Sequence, residues 1–357
     1  MPEKPPVRFS EKFFKPREYS KTGEYGRSVH MVISIERHGD PFKDPETGLS
    51  LNALTPEGVQ KEREKGKSIA SSFPKGGIKA YTSPQRRAEQ SIGEQLAGVE
   101  DAGRGAQIIN KRFSQVRKNV EKVYPNKFKV DPVKLAEEMK KIKAENPGIS
   151  DDQLKVREGE LAETMKAKVT PIIIREKDDL NALVEAGFKP LLAQMTPEEK
   201  QDIKKRNNRL VQMYFEHTGD LGDTLPYRGA AALLAYRIAT EMGMMTRLKN
   251  SSDVILKNLT HGPIPDSFLR ELLGHKNVAD VGGAVNTMEG FDLDVRTDTN
   301  GEIVAKLLFR GKTTELTKDQ LAKIKELAQE GKELLAGLKK KEKSPGVLWK
   351  QIVEAKK

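Results

Sequence analysis

Between residues 30 and 100 the chain alternates short apolar runs with longer stretches whose apolar residues recur at helical spacing. Met31-Val32-Ile33-Ser34-Ile35 has the make-up of a short buried strand, closed by charge and then by Gly39. Thr55-Pro56-Glu57-Gly58 opens a helix, because Thr55 can cap it and Pro56 suits its first position. That helix runs from Val59 to Ile69 and stops before Phe73-Pro74-Lys75-Gly76-Gly77. Ile78 to Ser83 reads as a second strand and Gln85 to Gly98 as a second helix. Strand, helix, strand, helix predicts a sheet with helices on its faces. The expected fold is α/β: a three-layer α/β/α sandwich with a mostly parallel sheet and a helical insertion.

The insertion begins near Lys111 and ends near Arg209. Lys, Glu and Asp dominate it, yet Val133-Lys134-Leu135-Ala136-Glu137-Glu138-Met139 keeps helical spacing, which is too regular for a disordered linker. Thr196-Pro197-Glu198-Glu199 is a capping-box helix start, and Ile172-Ile173-Ile174 a short strand. The α/β pattern then returns. Arg228 to Met245 is an Ala- and Leu-rich helix, Val254 to Thr260 a strand, and Asp266 to Leu273 the start of another helix. Phe291 to Val295 and Ile303 to Phe309 form a hairpin around Thr299-Asn300-Gly301, since Asn-Gly is a strong turn signal. Lys318 to Leu338 reads as a solvent-facing helix. The expected organisation is a basic N-terminal extension (1–28), an α/β core in two parts (29–110 and 211–330), a cap-like helical insertion (111–210) and a basic C-terminal tail (331–357). No internal repeat is visible.

Composition narrows the function classes. The 357 residues are 36% apolar and 32% charged, against roughly 45–50% and about 25% in ordinary globular chains. A core is still affordable, with much of the chain in solvated helix or loop. The absence of cysteine excludes disulfides, thiolate metal sites and cysteine nucleophiles. No run approaches the ~20 apolar residues of a membrane-spanning helix, and Met1 to Lys21 holds no secretory-signal run. A cytoplasmic setting without a membrane partner is expected. The net charge is +11, of which residues 1–30 carry +3 and residues 331–357 carry +5, leaving +3 between them. The basic ends read as solvated tails; they lack the interleaved aromatics of a base-stacking surface, so nucleic acid is not an expected partner.

Three places put charge or imidazole just after an expected strand: Arg37-His38-Gly39, Arg86-Arg87 and His261-Gly262. Ligands of open α/β sheets bind beyond the carboxyl ends of the strands, so these residues converge on one edge if their strands are neighbours. Guanidinium groups clamp phosphate bidentately at any working pH, and a helix N-terminus adds backbone donors. A neutral imidazole in line with phosphorus can attack it, forming a phosphohistidine that water later hydrolyses. A second imidazole, protonated, can stabilise the charge on the transferring group. Such a cluster needs neither metal nor cofactor, and no acidic metal-ligand cluster lies near these strands.

Leu54-Thr55-Pro56-Glu57-Gly58, Ser83-Pro84-Gln85-Arg86-Arg87-Ala88-Glu89-Gln90-Ser91 and Leu259-Thr260-His261-Gly262, following Arg37-His38-Gly39 in that order, resemble the histidine phosphatase superfamily, which includes cofactor-dependent phosphoglycerate mutase. Arg-His-Gly-Asp followed by Arg-Ala-Glu-Gln is most similar to the small bacterial phosphohistidine phosphatases. The resemblance covers residues 30–110 and 215–275. It implies His38 as nucleophile, His261 as second histidine, and Arg37 and Arg87 as phosphate clamps, with Gly39, Gly262 and Arg86 beside the substrate. Arg87 rather than Arg86 matches the family arginine, because it directly precedes Ala-x-Gln-Ser. The general acid departs from the pattern. One branch places a glutamate in a window that here reads Lys111-Arg112-Phe113-Ser114-Gln115-Val116, and another places an aspartate where this chain has Gly262. Gly222-Asp223-Thr224 resembles a later family element, which makes Asp223 the first candidate acid, ahead of Asp40 and Asp266. His30, His217 and His275 read as surface or capping residues.

The resulting expectation is a metal-independent phosphatase acting on a small phosphorylated metabolite or a phosphoprotein. A mutase needs the same cluster plus a site that retains the released intermediate. A phosphate-binding protein with weak catalysis is the alternative from another class.

Overall fold

The computed structural model describes residues 24–43, 50–73, 77–83, 85–103, 132–151, 153–158, 172–175, 184, 188–217, 224–340 and 344–355. Its centre is a seven-stranded sheet. In chain order the strands are β1 (His30–Arg37), β4 (Gly77–Thr82), β5 (Ile172–Arg175), β6 (Asp253–Thr260), β7 (Gly290–Thr297), β8 (Ile303–Phe309) and β9 (Lys312–Glu315); β2 (Pro41–Lys43) and β3 (Ser50–Leu54) pair separately. The spatial order is β5-β4-β6-β1-β7-β8-β9, parallel from β5 to β1 and antiparallel from there on.

Successive residues of a strand face opposite sides of the sheet, and β1 uses its two sides differently. Met31, Ile33 and Ile35 are fully buried in an apolar core with three helices: α7 (Tyr227–Met244), α8 (Pro263–Leu273) and α9 (Lys318–Lys340). Ser34 and Glu36 point the other way, toward α1 (Pro56–Ser72) and α2 (Arg86–Asp101). Lys257 bonds both of them, Lys65 lies 3.1 Å from Glu36, and Gln95 Nε2 donates to Glu36 at 2.8 Å and to Glu62 at 2.7 Å. Burial would raise the Glu36 pKa, but Lys257 and Lys65 outweigh it and hold the carboxyl well below its usual range. One layer is thus apolar and the other built on paired, buried charge.

Local signals place the helices. Thr55 caps α1 by accepting from Gly58 N at 2.9 Å, and Thr196 with Glu199 forms the expected capping box on a helix of only five residues, α5 (Pro197–Gln201). Asp202 caps the next helix, α6 (Ile203–Glu216). Among the described residues, helix earlier in this stretch includes α3 (Pro132–Glu145), residues 153–158 and α4 (Phe188–Ala193). The stretch is also joined to the core: β5 pairs in parallel with β4 from Lys79↔Ile172 to Thr82↔Arg175, and Leu191, Met195, Val211 and Tyr214 sit in the main core.

The structure corrects the C-terminal reading. The 318–338 helix faces solvent on one side only and the core on the other, and of the expected tail residues 331–340 and 345–354 are helix rather than solvated chain. Ile324, Leu327, Ala328 and Leu334 of α9 are fully buried, and α9 approaches α7 so closely that a Cβ on Gly331 would lie 2.1 Å from the Ala232 carbonyl. A last helix, α10 (Pro345–Glu354), buries Trp349 beside Leu225, Leu233 and Leu334. The lysines that set the segment's charge had masked an apolar stripe at helical spacing. The expected hairpin is present as β7 and β8. It continues into β9, whose four residues are all exposed and carry no alternation to read. Residues 1–23, most of the N-terminal extension, lie outside the described residues. Among the described residues no helix is long and apolar enough to cross a membrane.

Candidate active site

The register of the parallel strands assembles the site. Arg37 pairs with Thr260 at the ends of β1 and β6, and Thr82 pairs with Leu259 at the ends of β4 and β6. The residues that follow these three strands, His38, Ser83 and His261, therefore emerge side by side at the carboxyl edge. His38 and His261 are 4% and 2% exposed, with ring centroids 4.9 Å apart at an interplanar angle of 60°. The three expected segments converge.

The backbone around His38 is held on every side. Arg37 N donates to Glu289 O at 2.9 Å, His38 N to Thr260 O at 3.2 Å, and Gly39 N to Ser91 Oγ at 2.8 Å. Gly39 packs closely on α1, and a Cβ there would meet Glu62 Oε1 at 2.8 Å and displace that side chain. His38 Nδ1 lies 2.8 Å from the Gly39 carbonyl. A carbonyl only accepts, so Nδ1 carries the proton and Nε2 keeps its lone pair. Burial, then the charges of Arg87 and Arg37, press the His38 pKa well below 6.5, which keeps the ring neutral.

His261 Nε2 lies 2.6 Å from Ser83 Oγ, which also accepts from Gln85 N at 3.3 Å. Where the Ser83 hydroxyl donates to Nε2, the His261 proton is on Nδ1; where it accepts, the proton is on Nε2. Nδ1 is buried without a hydrogen-bond partner. Burial and the neighbouring His38, Arg87 and Arg37 lower the His261 pKa as well. Behind this ring lies a mostly apolar cavity of about 50 Å³, whose walls include Ile35, Tyr81, Leu234 and Ile264.

Arg37 is the last residue of β1. Its Nη1 donates to Val285 O at 2.8 Å, while its Nε is buried and unpartnered. Its guanidinium covers Gly262, where a Cβ would be 3.5 Å from Cζ. Arg87, half-buried in the first turn of α2, bears electrostatically on His38, His261 and Arg37. Arg86 begins the same helix, but its side chain lies outside the described residues. Asp223 also lies outside them. Asp40 follows Gly39 and accepts from Thr287 Oγ1, with Lys61 at 3.3 Å and its side chain 41% exposed. Asp266 is buried in the first turn of α8. His30 is at the opposite end of β1, between Asp253 and Asp294.

Sequence reasoning did not single out two of these neighbours. Ser83 lay inside a quoted motif, but nothing in the string tied it to His261. Arg206, on α6, comes close enough for its charge to act on Arg37; it sits in a lysine- and arginine-rich stretch that offered no distinguishing signal. Chemically, the arrangement offers a neutral imidazole nitrogen on His38, an unpartnered buried ring nitrogen on His261, an unpartnered buried N–H on Arg37, and two to three guanidinium charges around them. That set suits a tetrahedral oxyanion.

No family model and no curated protein matches the chain. Among solved structures, the apo form of a Hafnia alvei phytase is 12% identical over 86% of this chain and 97% of its own, with a TM-score of 0.35. A phosphoglycerate mutase from Bacillus anthracis is 12% identical over 85% of this chain and 98% of its own, with a TM-score of 0.29. A phosphoserine phosphatase from Entamoeba histolytica, in complex with 3-phosphoglyceric acid, is 11% identical over 82% and 99%, with a TM-score of 0.31. At TM-scores this low the likeness carries no conclusion about this chain.

Proposed function

We propose that the protein is a phosphatase that works through a covalent phosphohistidine on His38, acting on a small phosphorylated metabolite or a phosphoprotein. The observation that carries this reading is the His38 ring. It is buried and neutral, with Nδ1 committed to the Gly39 carbonyl and Nε2 left as a nucleophile, and its ring centroid is 4.9 Å from that of a second buried imidazole.

In the first half-reaction Nε2 of His38 bonds to phosphorus. The bond to the leaving oxygen or nitrogen breaks, and its electron pair departs with that atom. Arg37 and Arg87 neutralise the phosphoryl oxygens, and the Nδ1–H of His261 donates to one of them as charge redistributes. In the second half-reaction a water oxygen attacks phosphorus, the P–Nε2 bond breaks, and His38 regains its lone pair as inorganic phosphate leaves. The resemblance of the four ordered motifs supports the same assignment, with Gly39, Gly262 and Arg86 at the substrate and Asp223 as the first candidate to protonate a poor leaving group.

Rapid-quench labelling with a panel of phosphorylated compounds tests the proposal. An acid-labile, base-stable phosphoenzyme that forms and decays at the turnover rate is expected. Phosphate release with no covalent intermediate would refute the mechanism. Retention of the phosphoryl group and its return to a second acceptor would make the protein a mutase, and binding without turnover a phosphate-recognition protein.

A further inference from the structure

Asp266 is a fully buried carboxyl that the proposed reaction does not use. One of its oxygens accepts from Val285 N at 2.8 Å, and the other, Oδ2, is buried without a partner. The carbonyl of the same residue, Val285, accepts from Arg37 Nη1 at 2.8 Å. The carboxyl and the guanidinium thus hold the two backbone groups of one residue, the Val285 N–H and C=O on either side of its Cα, and so tie the first turn of α8 to the arginine at the end of β1. The loop carrying Val285 is fastened from its other side. Arg310, in the turn after β8, donates to the carbonyls of Val281, Gly283 and Ala284 and holds Glu289 with two nitrogens. A loop fixed this firmly transmits a change at Asp266 to Arg37.

We propose that Asp266 is a positioning residue for Arg37, acting through the Val285 backbone that both side chains hold, and that its ionisation sets how tightly the site holds a dianion. The inference rests on the reading of the site as an oxyanion site. A carboxyl kept only as an anchor could be replaced by an amide of the same shape, since one accepting oxygen is all the Val285 N–H needs. Its acidity is what an amide lacks. Burial raises the Asp266 pKa to about 7, against the lowering effects of the Val285 amide, Arg37 and Arg310, with Glu289 adding to the rise. The charged and titratable groups around it are therefore Arg37 on β1, Arg310 after β8 and Glu289 before β7. Arg270 and His275 line the small cavity beside it. Below neutrality Asp266 is uncharged and the positive charge of Arg37 is fully available to a bound anion. Above neutrality the carboxylate offsets that charge and repels a dianion.

Sulfate separates this effect from substrate ionisation, because it stays dianionic across the range. Its affinity, measured by calorimetry on the full chain, is expected to weaken on the order of tenfold between about pH 6 and about pH 8. Asp266→Asn should bind sulfate at the upper pH as tightly as the wild type does at the lower one, with a flat profile. In turnover, the variant should change KM at the upper pH and leave kcat near wild type. A wild-type affinity that does not move across this range would overturn the proposal, and that measurement stands whether or not the variant folds. A variant that keeps the wild-type slope would also overturn it, assigning the dependence to the histidines. Sulfate binding by neither protein at any pH would refute the oxyanion reading itself.

Discussion

Ser83 Oγ lies 2.6 Å from His261 Nε2, across the boundary between β4 and β6, and this contact leaves Nδ1 as the ring nitrogen without a partner. With Nε2 occupied, Nδ1 is the ring atom left open, and in the tautomer in which Ser83 donates to Nε2 it carries a proton without the ring being cationic. His38 is fixed in the opposite sense, with Nδ1 bound to a carbonyl and Nε2 free. In that tautomer the two adjacent imidazoles present one lone pair and one N–H donor. That is the division of labour a nucleophile and a charge stabiliser require.

Arg87 and Arg86 should not be equivalent. Arg87 bears on both histidines and on Arg37, and a charge-assisted contact to a desolvated phosphate is worth roughly 1.5–3 kcal/mol. Arg87→Ala is expected to lower kcat/KM by about tenfold to over a hundredfold, and Arg86→Ala far less. Steady-state kinetics on both variants checks this, and equal losses would mean that the wrong arginine faces the phosphate.

The histidines should stay neutral where ordinary imidazoles titrate. In the free protein, NMR ring-proton shifts of His38 and His261 are expected to hold constant as pH falls through 6.5 and to move only at more acidic pH. Arg87→Gln removes a charge that disfavours the imidazolium, so the His38 transition should shift upward. Linkage fixes the sign for stability. The unfolded chain takes up protons near 6.5 while the folded rings do not, so stability is complete above that pH and declines as pH falls below it. Titration of either ring at or above 6.5 would contradict the electrostatics.

Leaving-group chemistry should expose the proton donor. Neither a glutamate in the 111–116 window nor an aspartate at position 262 is present. The expected rate therefore depends steeply on leaving-group pKa, with aryl phosphates and phosphoramidates cleaved well and alkyl phosphates poorly. Asp223→Asn should depress alkyl phosphate cleavage while sparing leaving groups that need no proton. Equal loss of both classes would make Asp223 a structural or substrate-binding residue.

The C-terminal helix should contribute to the fold. Trp349 is the only tryptophan in the chain and is 7% exposed, against Gly229 of α7 and the Leu225–Leu233–Leu334 cluster. Its native fluorescence is expected to be blue-shifted, and Trp349→Ala to cost about 3 kcal/mol in urea unfolding. Solvent-like emission or an unchanged midpoint would restore the picture of a solvated tail.

What the sequence made legible is what local rules write into it. Thr55 and Thr196 announce their helices because a cap is a short-range signal, and Asn300-Gly301 announces its hairpin for the same reason. His38, Arg87 and His261 stood out because each follows a strand in a fixed motif, which also told where to look for their meeting. Long-range pairing was not legible. Nothing in Ile172–Ile174 says that it lies beside β4, nor in Asp266 that it bonds the Val285 amide across a sheet edge. The polarity of Ser34 and Glu36 suggested no buried face, since the groups that make that burial tolerable, Lys257, Lys65 and Gln95, come from distant segments. The stripe on α9 was present in the string, but net charge concealed it.

The most direct measurement locates the phosphoryl group. The free protein is mixed with a phosphorylated substrate and quenched in base within one turnover. The labelled residue is then identified by mass spectrometry, and the modified nitrogen by phosphorus NMR. The arrangement at Gly39 requires the group on Nε2 of His38, with no label in His38→Ala. Label on His261, label on Nδ1 of His38, or turnover by His38→Ala at the wild-type rate would contradict the account.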